Sequence, residues 1–216
     1  MLTYHFISEK YGMDAVLNSS LKVARINALN DPFEFLHMST DHYAANKVLK
    51  DRRNMLHRRL GILCFSSSYF SPVQWAHYAD IHRGLCLCFD IPDKCLLKIK
   101  YLDERSSTSS FFNALDMTQG DFARHMLTHK YAHWSYEEEV RMLVNIPKNN
   151  KYDELVFRDF DEKLALKEVI IGYRSSLHPK HLRSFFKKEG VLVSVSKVKP
   201  SKEEFRMEKT TFQRDA

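Results

Sequence analysis

Apolar residues recur along this chain in short runs whose period alternates between two and about four, the mark of strands interleaved with helices. Residues 3–7 read as a strand, 8–19 as a helix capped by Ser8, and 21–26 as a second extended piece leading into the turn Asn30-Asp31-Pro32. A charged helix is expected over 41–60, with Gly61 ending it. Ile62-Leu63-Cys64-Phe65 then has the composition of a buried strand closing on Ser66-Ser67-Ser68. Ser71-Pro72-Val73-Gln74 carries a capping-box pattern with proline at the first helical position, which predicts a helix over 72–80. Gly84 releases the chain into a strand at 85–90, and 96–102 alternates like a hairpin partner. Residues 106–110 are loop. A helix over 121–133, strands at 140–146 and 169–173, a helix over 179–188 and a strand over 191–198 complete the order. The charged segment after Pro200 is expected to fray.

Strands that often follow one another without a ten-residue helix between them predict an α+β fold with a mixed, largely antiparallel sheet and flanking helices. The length fits a single domain over 1–199 with a charged tail at 200–216. No G-x-G-x-x-G or G-x-x-x-x-G-K-[ST] occurs, and six glycines are few for a backbone phosphate cradle, which weighs against Rossmann and P-loop chemistry. No segment approaches eighteen apolar residues and the first residues lack signal-peptide regions. The expectation is a cytoplasmic protein without a membrane span. A formal charge of +6 hints at an anionic partner.

Cys64, Cys86, Cys88 and Cys95 form no C-x-x-C pair, and Cys86-x-Cys88 fits two same-face strand positions. They read as reduced core thiols. His125, His129 and His133 would share one stripe of the 121–133 helix, but no glutamate or cysteine completes a ligand set. A solvated or half-buried stripe is the better reading, and no metal is expected. Lys47, Lys50, Arg52, Arg53, Arg58 and Arg59 read as a solvated helix face, with nucleic-acid docking as the alternative.

The segment Trp134-Ser135-Tyr136-Glu137-Glu138-Glu139-Val140-Arg141 concentrates the chemistry. On a strand, Glu137, Glu139 and Arg141 share one face, where they must be paired, solvated in a cleft, or used. The bland reading is a buried network in which Glu137 or Glu139 accepts bonds from Arg141 and the Trp134 indole. The turn at Asn30-Asp31-Pro32 is expected to approach the cleft. Asn30 would bond neighbouring amides, Phe33 would anchor the loop in the core, and Glu34 would point to the cleft or to an arginine.

Tyr4-His5-Phe6, Leu29-Asn30-Asp31-Pro32-Phe33-Glu34, Cys64-Phe65-Ser66, Trp75-Ala76-His77-Tyr78-Ala79-Asp80 with Arg83-Gly84, Lys130, and the segment from Trp134 to Arg141 follow one another in a distinctive order and spacing. In this the chain resembles the bacterial family called domain of unknown function 2971, over about residues 2–175. His5 stands where the family pattern more often has lysine, which puts in doubt any role there that needs a permanent cation.

In residue type and order the chain is also similar to mono-ADP-ribosyltransferases, with His5 or Arg25 early, Ser66-Ser67-Ser68 in the middle and Glu137-x-Glu139 late. That resemblance implies a split sheet and nicotinamide adenine dinucleotide (NAD) as substrate, bound by His5, Arg25, Asn30, Ser66, Tyr78 and Trp75. Tyr78 would stack on nicotinamide. Glu139 would stabilise the oxocarbenium-like centre, and Glu137 would orient or deprotonate a nucleic-acid or protein acceptor. The company such enzymes keep implies a bacterial toxin, effector or phage-defence component. The alternative is a non-catalytic binding module in which Asn30, Asp31, Trp75 and Tyr78 shape a recognition pocket and the basic helix docks nucleic acid or an acidic protein. Neither reading fixes the oligomeric state.

The cysteine reading is directly testable: thiol titration after unfolding should find four free groups, with no stoichiometric zinc in parallel metal analysis. A bound metal would overturn it.

Overall fold

The computed structural model describes residues 1–34, 43–105, 116–151 and 154–210. The loop expected at 106–110, the start of the charged helix at Asp41 and the last six residues lie outside them. Thirteen strands and five α-helices follow in the order β1 (Leu2–Ile7), α1 (Glu9–Leu17), β2 (Ser20–Lys22), β3 (Ala24–Arg25), α2 (Tyr43–Arg59), β4 (Leu60–Ser66), α3 (Pro72–Tyr78), β5 (Leu85–Asp90), β6 (Leu97–Lys98), β7 (Lys100–Leu102), α4 (Gln119–Leu127), β8 (His129–Tyr131), β9 (Glu139–Asn145), β10 (Phe157–Asp159), β11 (Ala165–Ile171), α5 (Pro179–Lys188), β12 (Ser194–Pro200) and β13 (Met207–Lys209) among the described residues. The principal sheet runs β13-β12-β11-β5-β1-β4-β9-β6, with β3 also on β4. Its ladders are antiparallel except β11 with β12, whose crossover is α5. The α+β class expected from the strand spacing is the class observed.

The sheet is split in its middle. Strand β1 pairs with β5 along all six residues, from Leu2↔Asp90 to Ile7↔Leu85, but with β4 at one position only, Tyr4↔Ser66. On its other edge β4 is fully paired, from Leu60↔Asn145 to Ser66↔Glu139, while β3 occupies the β1-side edge at Gly61 and Ile62. Beyond Tyr4 the two strands therefore diverge, leaving residues 63–65 of β4 facing a gap.

Alternation decides what covers each face. Leu63, Phe65, Leu85, Leu87, Phe89, Val169 and Ile171 join Ala15 and Val16 of α1 and Leu182 and Phe186 of α5 in the largest core cluster. On the opposite face are two smaller clusters. Ile62 packs with Leu49 and Leu56 of α2 and Phe122 and Met126 of α4, whereas Cys86 and Ile170 pack with Trp75 of α3 and with Ala79 at its C-cap. Cys86 and Cys88 are buried at same-face positions of β5, as the spacing suggested. No helix among the described residues is long and apolar enough to cross a membrane.

Several local expectations are corrected. Gly61 does not end α2; it is the second residue of β4, where a Cβ would lie 2.3 Å from Val23. Ser8 sits at the N-cap of α1, but its hydroxyl makes no capping bond. Residues 97–102 do not pair with β5, because β6 joins β9 and β7 joins β8 in parallel. The 121–133 helix ends at Leu127, so His129 falls on β8 and His133 in the 3-10 turn after it. The histidine stripe does not form. The segment after Pro200 returns as β13, with Met207 buried against the α3-side cluster, so the folded unit extends past residue 200.

Gly84 is fixed by close approach: a Cβ there would lie 2.2 Å from the Ile7 carbonyl oxygen and 2.9 Å from Ala79 backbone, with no flexible side chain to yield. Gly84→Ala should cost about 1–3 kcal/mol through forced backbone shifts. Gly120→Ala, at a helical position with nothing within 4 Å of the new methyl, should gain about 0.5 kcal/mol from reduced unfolded-state entropy. Urea midpoints of the two variants check both signs.

Candidate active site

The gap between β1 and β4 opens as a cleft of about 140 Å³. Tyr4, His5 and Phe6 line it from β1, and Cys64, Phe65 and Ser66 from β4. Leu29, Asn30 and Glu34 reach in from the 29–34 turn, Gln74 and Tyr78 from α3, and Lys130, Glu137, Glu139 and Arg141 close it. It is bordered by Phe6 of the α3-side cluster and by Cys64 and Leu29 of the α2/α4-side cluster.

Where β1 leaves β4, the Cys64 carbonyl loses its ladder partner, and His5 supplies one across the gap. Its Nδ1 lies 2.8 Å from Cys64 O. A carbonyl only accepts, so Nδ1 carries the hydrogen and Nε2 keeps its lone pair. Burial pushes the His5 pKa down, against the smaller opposing effect of the Cys64 bond. His5 is therefore a neutral ring at pH 7, unsuited to a role that needs a fixed cation.

Five charged side chains meet on the opposite wall. Arg141 is 1% exposed; its Nε and Nη2 donate to the two oxygens of Glu139 at 2.7 and 2.9 Å, and its Nη1 donates to Glu34 Oε1 at 2.6 Å and Leu127 O at 3.1 Å. Lys130 bridges the carboxylates, donating to Glu137 and, at 3.2 Å, to Glu139 Oε2. The Tyr78 hydroxyl donates to Glu137 Oε1 at 2.5 Å and accepts from Asn30 Nδ2 at 2.7 Å. A continuous chain thus runs from Asn30 through Tyr78, Glu137, Lys130, Glu139 and Arg141 to Glu34.

The carboxylates do not meet because they share a strand face. Only Glu139 and Arg141 lie on β9; Glu137 ends a 3-10 turn, and Glu138 between them takes the left-handed conformation at φ 44°. That one residue reverses the chain locally and turns Glu137 back beside Glu139. Burial raises both carboxyl pKa values, but for Glu139 the charge and bonds of Arg141, with Lys130, outweigh it and hold the pKa at about 2. For Glu137 burial prevails over Lys130 and Tyr78, and its pKa is raised; Glu34 is raised likewise, burial exceeding the pull of Arg141. Burial also pushes the Cys64 thiol well up, so it is no thiolate nucleophile.

Of the site residues expected from sequence, His5, Asn30, Ser66, Tyr78, Glu137 and Glu139 come together here. Arg25 does not: its Nη2 is engaged by Asn150 and by the carbonyls of Lys151 and Glu154. Trp75 is fully buried, donating from Nε1 to Tyr69 O at 2.7 Å and packing edge-on against Phe6. Trp134 donates to neither carboxylate; its ring lies under Lys130 Nζ, 4.8 Å from the centroid. Phe33 is 54% exposed beneath the Arg105 guanidinium, and Leu29 packs in its stead. Asn30 bonds Tyr78, and it is Asp31 Oδ1 that accepts from the Phe33 amide.

Glu34 does both things expected of it, lining the cleft and meeting an arginine, whereas Gln74 and Lys130 enter the site without having been assigned a role there. Gln74 was visible only as a capping residue. Its amide accepts from nothing in the cap but donates to Ser66 Oγ, Tyr136 O and Glu137 O, fastening α3 to the carboxylate turn. Among the described residues no group of three or more potential metal ligands converges.

No family model, curated protein or solved structure matches the chain.

Lys130→Met tests the electrostatics. Leaving two buried carboxylates facing each other should cost about 3–5 kcal/mol at pH 7. With the cation gone, the already raised Glu137 pKa rises further above its unfolded value, the folded state binds more protons there, and that contribution to stability falls as pH rises above about 4.5. Acidification from pH 7 to 5 should therefore raise the melting temperature of the variant more than that of wild type. Equal slopes would show that Lys130 does not hold the pair.

Proposed function

We propose that the chain is a mono-ADP-ribosyltransferase-like enzyme that takes NAD as substrate, and that its likeness to domain of unknown function 2971 reflects this site. The observation that carries the reading is the split between β1 and β4, which opens a ring-sized cleft with His5 on the β1 side and Ser66, Glu137 and Glu139 also lining it. A cavity of about 150 Å³ suffices for one six-membered aromatic ring. The cleft thus suits the nicotinamide end of the dinucleotide.

Transfer breaks the bond from ribose C1′ to the nicotinamide nitrogen, the electron pair leaving with the ring, and an acceptor nucleophile then bonds C1′ and loses a proton. The two carboxylates suit different parts of this. Glu139, ionised throughout the physiological range, keeps negative charge beside the developing oxocarbenium. Glu137, with its raised pKa, is the one to hold a sugar hydroxyl or take the acceptor proton. His5 offers Nε2 as an acceptor for a hydroxyl. The acceptor is a nucleic acid or a protein, and the biological setting that goes with such chemistry is a bacterial toxin, effector or phage-defence component acting in the cytoplasm.

One observation favours a second reading, a non-catalytic binding module for nucleic acid or an acidic partner. Glu139 is clasped through both oxygens by Arg141, the arrangement a purely structural motif would also show.

Glu139→Gln separates the two. Under the transferase reading, release of labelled nicotinamide from NAD in the presence of a cell extract falls by about 10²–10³-fold, and label appears in a protein or nucleic-acid fraction for wild type only. Under the structural reading the variant loses about 3–5 kcal/mol of stability and wild type consumes no NAD; that combination would sink the catalytic assignment.

A further inference from the structure

One polar group in the cleft has nothing to accept from among the described residues. The Glu34 side chain lines the cleft and is 5% exposed. Its Oε1 takes the Arg141 bond, but its Oε2 is shielded from solvent and has no hydrogen-bond partner among the described residues. Burying an unsatisfied acceptor is costly.

Neither end of the side chain is free to turn away. The turn behind it is fixed by Asp31, whose Oδ1 accepts from the Phe33 amide at 2.9 Å and whose carbonyl accepts from the Glu34 amide at 3.0 Å. The arginine ahead of it is pinned by Glu139 and the Leu127 carbonyl. The other donors nearby already have acceptors elsewhere: Asn30 Nδ2 bonds Tyr78, Tyr78 bonds Glu137, and Lys130 bonds the two glutamates. Asp31 Oδ2 is also buried without a partner among the described residues, but Asp31 does not line the cleft. No described residue satisfies Glu34 Oε2, and a ligand seated in the cleft can bring the donor.

We infer that Glu34 is the specificity residue of a carboxamide subsite: its Oε2 accepts an N–H from the primary amide of a pyridine-carboxamide ring seated in the cleft. The inference rests on the dinucleotide reading above and deepens it by naming which part of the ligand this wall reads. A site built around such a bond discriminates strongly against analogues that cannot make it, because its own buried group is then left unpaired. Nicotinic acid, which presents a carboxylate to Glu34, and N,N-dimethylnicotinamide, which has no N–H, are those analogues.

Binding of the three compounds to the unaltered protein by calorimetry, with NAD in parallel, tests the inference without a mutation. Nicotinamide should bind at least about tenfold more tightly than either analogue. Glu34→Gln, which keeps an acceptor for Arg141 and can offer an amide N–H to a carboxylate, should narrow or reverse the preference over nicotinic acid. Equal binding of the three compounds by a protein that still binds NAD overturns the subsite and leaves the dinucleotide reading standing. Binding of neither nicotinamide nor NAD overturns both. Should Glu34→Gln fail to fold, the ligand series on the unaltered protein decides alone.

Discussion

Two cations and three carboxylates are buried at one point of this sheet, and removing charges from water costs several kcal/mol per ion unless each is met by a partner and by hydrogen bonds. That demand organises the middle of the molecule. Arg141 needs Glu139 on its own strand, Glu34 from a distant turn and a carbonyl from the end of α4, so three separate segments must arrive together before any is satisfied. Lys130 ties in a fourth element, β8, and Tyr78 a fifth, α3. A hydrophobic filling of the same volume would be at least as stable. The ionic one is specific in register and position, and it leaves polar atoms facing a cleft.

The cleft exists because β1 and β4 part after a single pair. Diverging strands ordinarily leave backbone groups unsatisfied. Here the imidazole of His5 bonds the Cys64 carbonyl and so holds the gap open at a fixed width. The same bond sets the tautomer and, with burial, keeps the ring neutral. A lysine at position 5 would bring a permanent charge to this point instead, beside Lys130 and Arg141. A neutral ring with one acceptor nitrogen suits hydroxyls and amides more than phosphates.

Much of this was legible in the residues. Alternation gave the strands, the Ser71-Pro72 cap gave α3, and the carboxylates, Tyr78, Asn30 and His5 could be singled out by type and order. What escaped depended on tertiary partners. A period of two at Glu137, Glu139 and Arg141 suggested a strand face, but position 137 lies outside the strand, and a left-handed glutamate has no sequence signature comparable to that of glycine. The helix expected over 121–133 stops at Leu127 because the chain must turn there to bring Lys130 under the carboxylates. Arg25 carried the right charge for a nucleotide, yet nothing local could reveal that Asn150, Lys151 and Glu154 come to claim it. Phe33 looked like an anchor by its size alone.

The serines at the end of β4 show how residue type can point to the right place for a different reason. They look like groups that would touch a sugar, and Ser66 does line the cleft. Yet its hydroxyl accepts from Gln74 and from the Ser68 amide, while Ser67 grips Glu138 twice, amide to carbonyl at 3.0 Å and hydroxyl to carboxylate at 2.9 Å. Those bonds hold Glu138 in its left-handed conformation, which would otherwise be strained for a residue with a Cβ. The reversed backbone at 138 in turn sets Glu137 beside Glu139, with Lys130 between them. The serine-rich strand end therefore serves the carboxylates by fixing the chain on which they stand, and the opposed pKa shifts of Glu137 and Glu139 follow from a backbone turn secured by neutral hydroxyls.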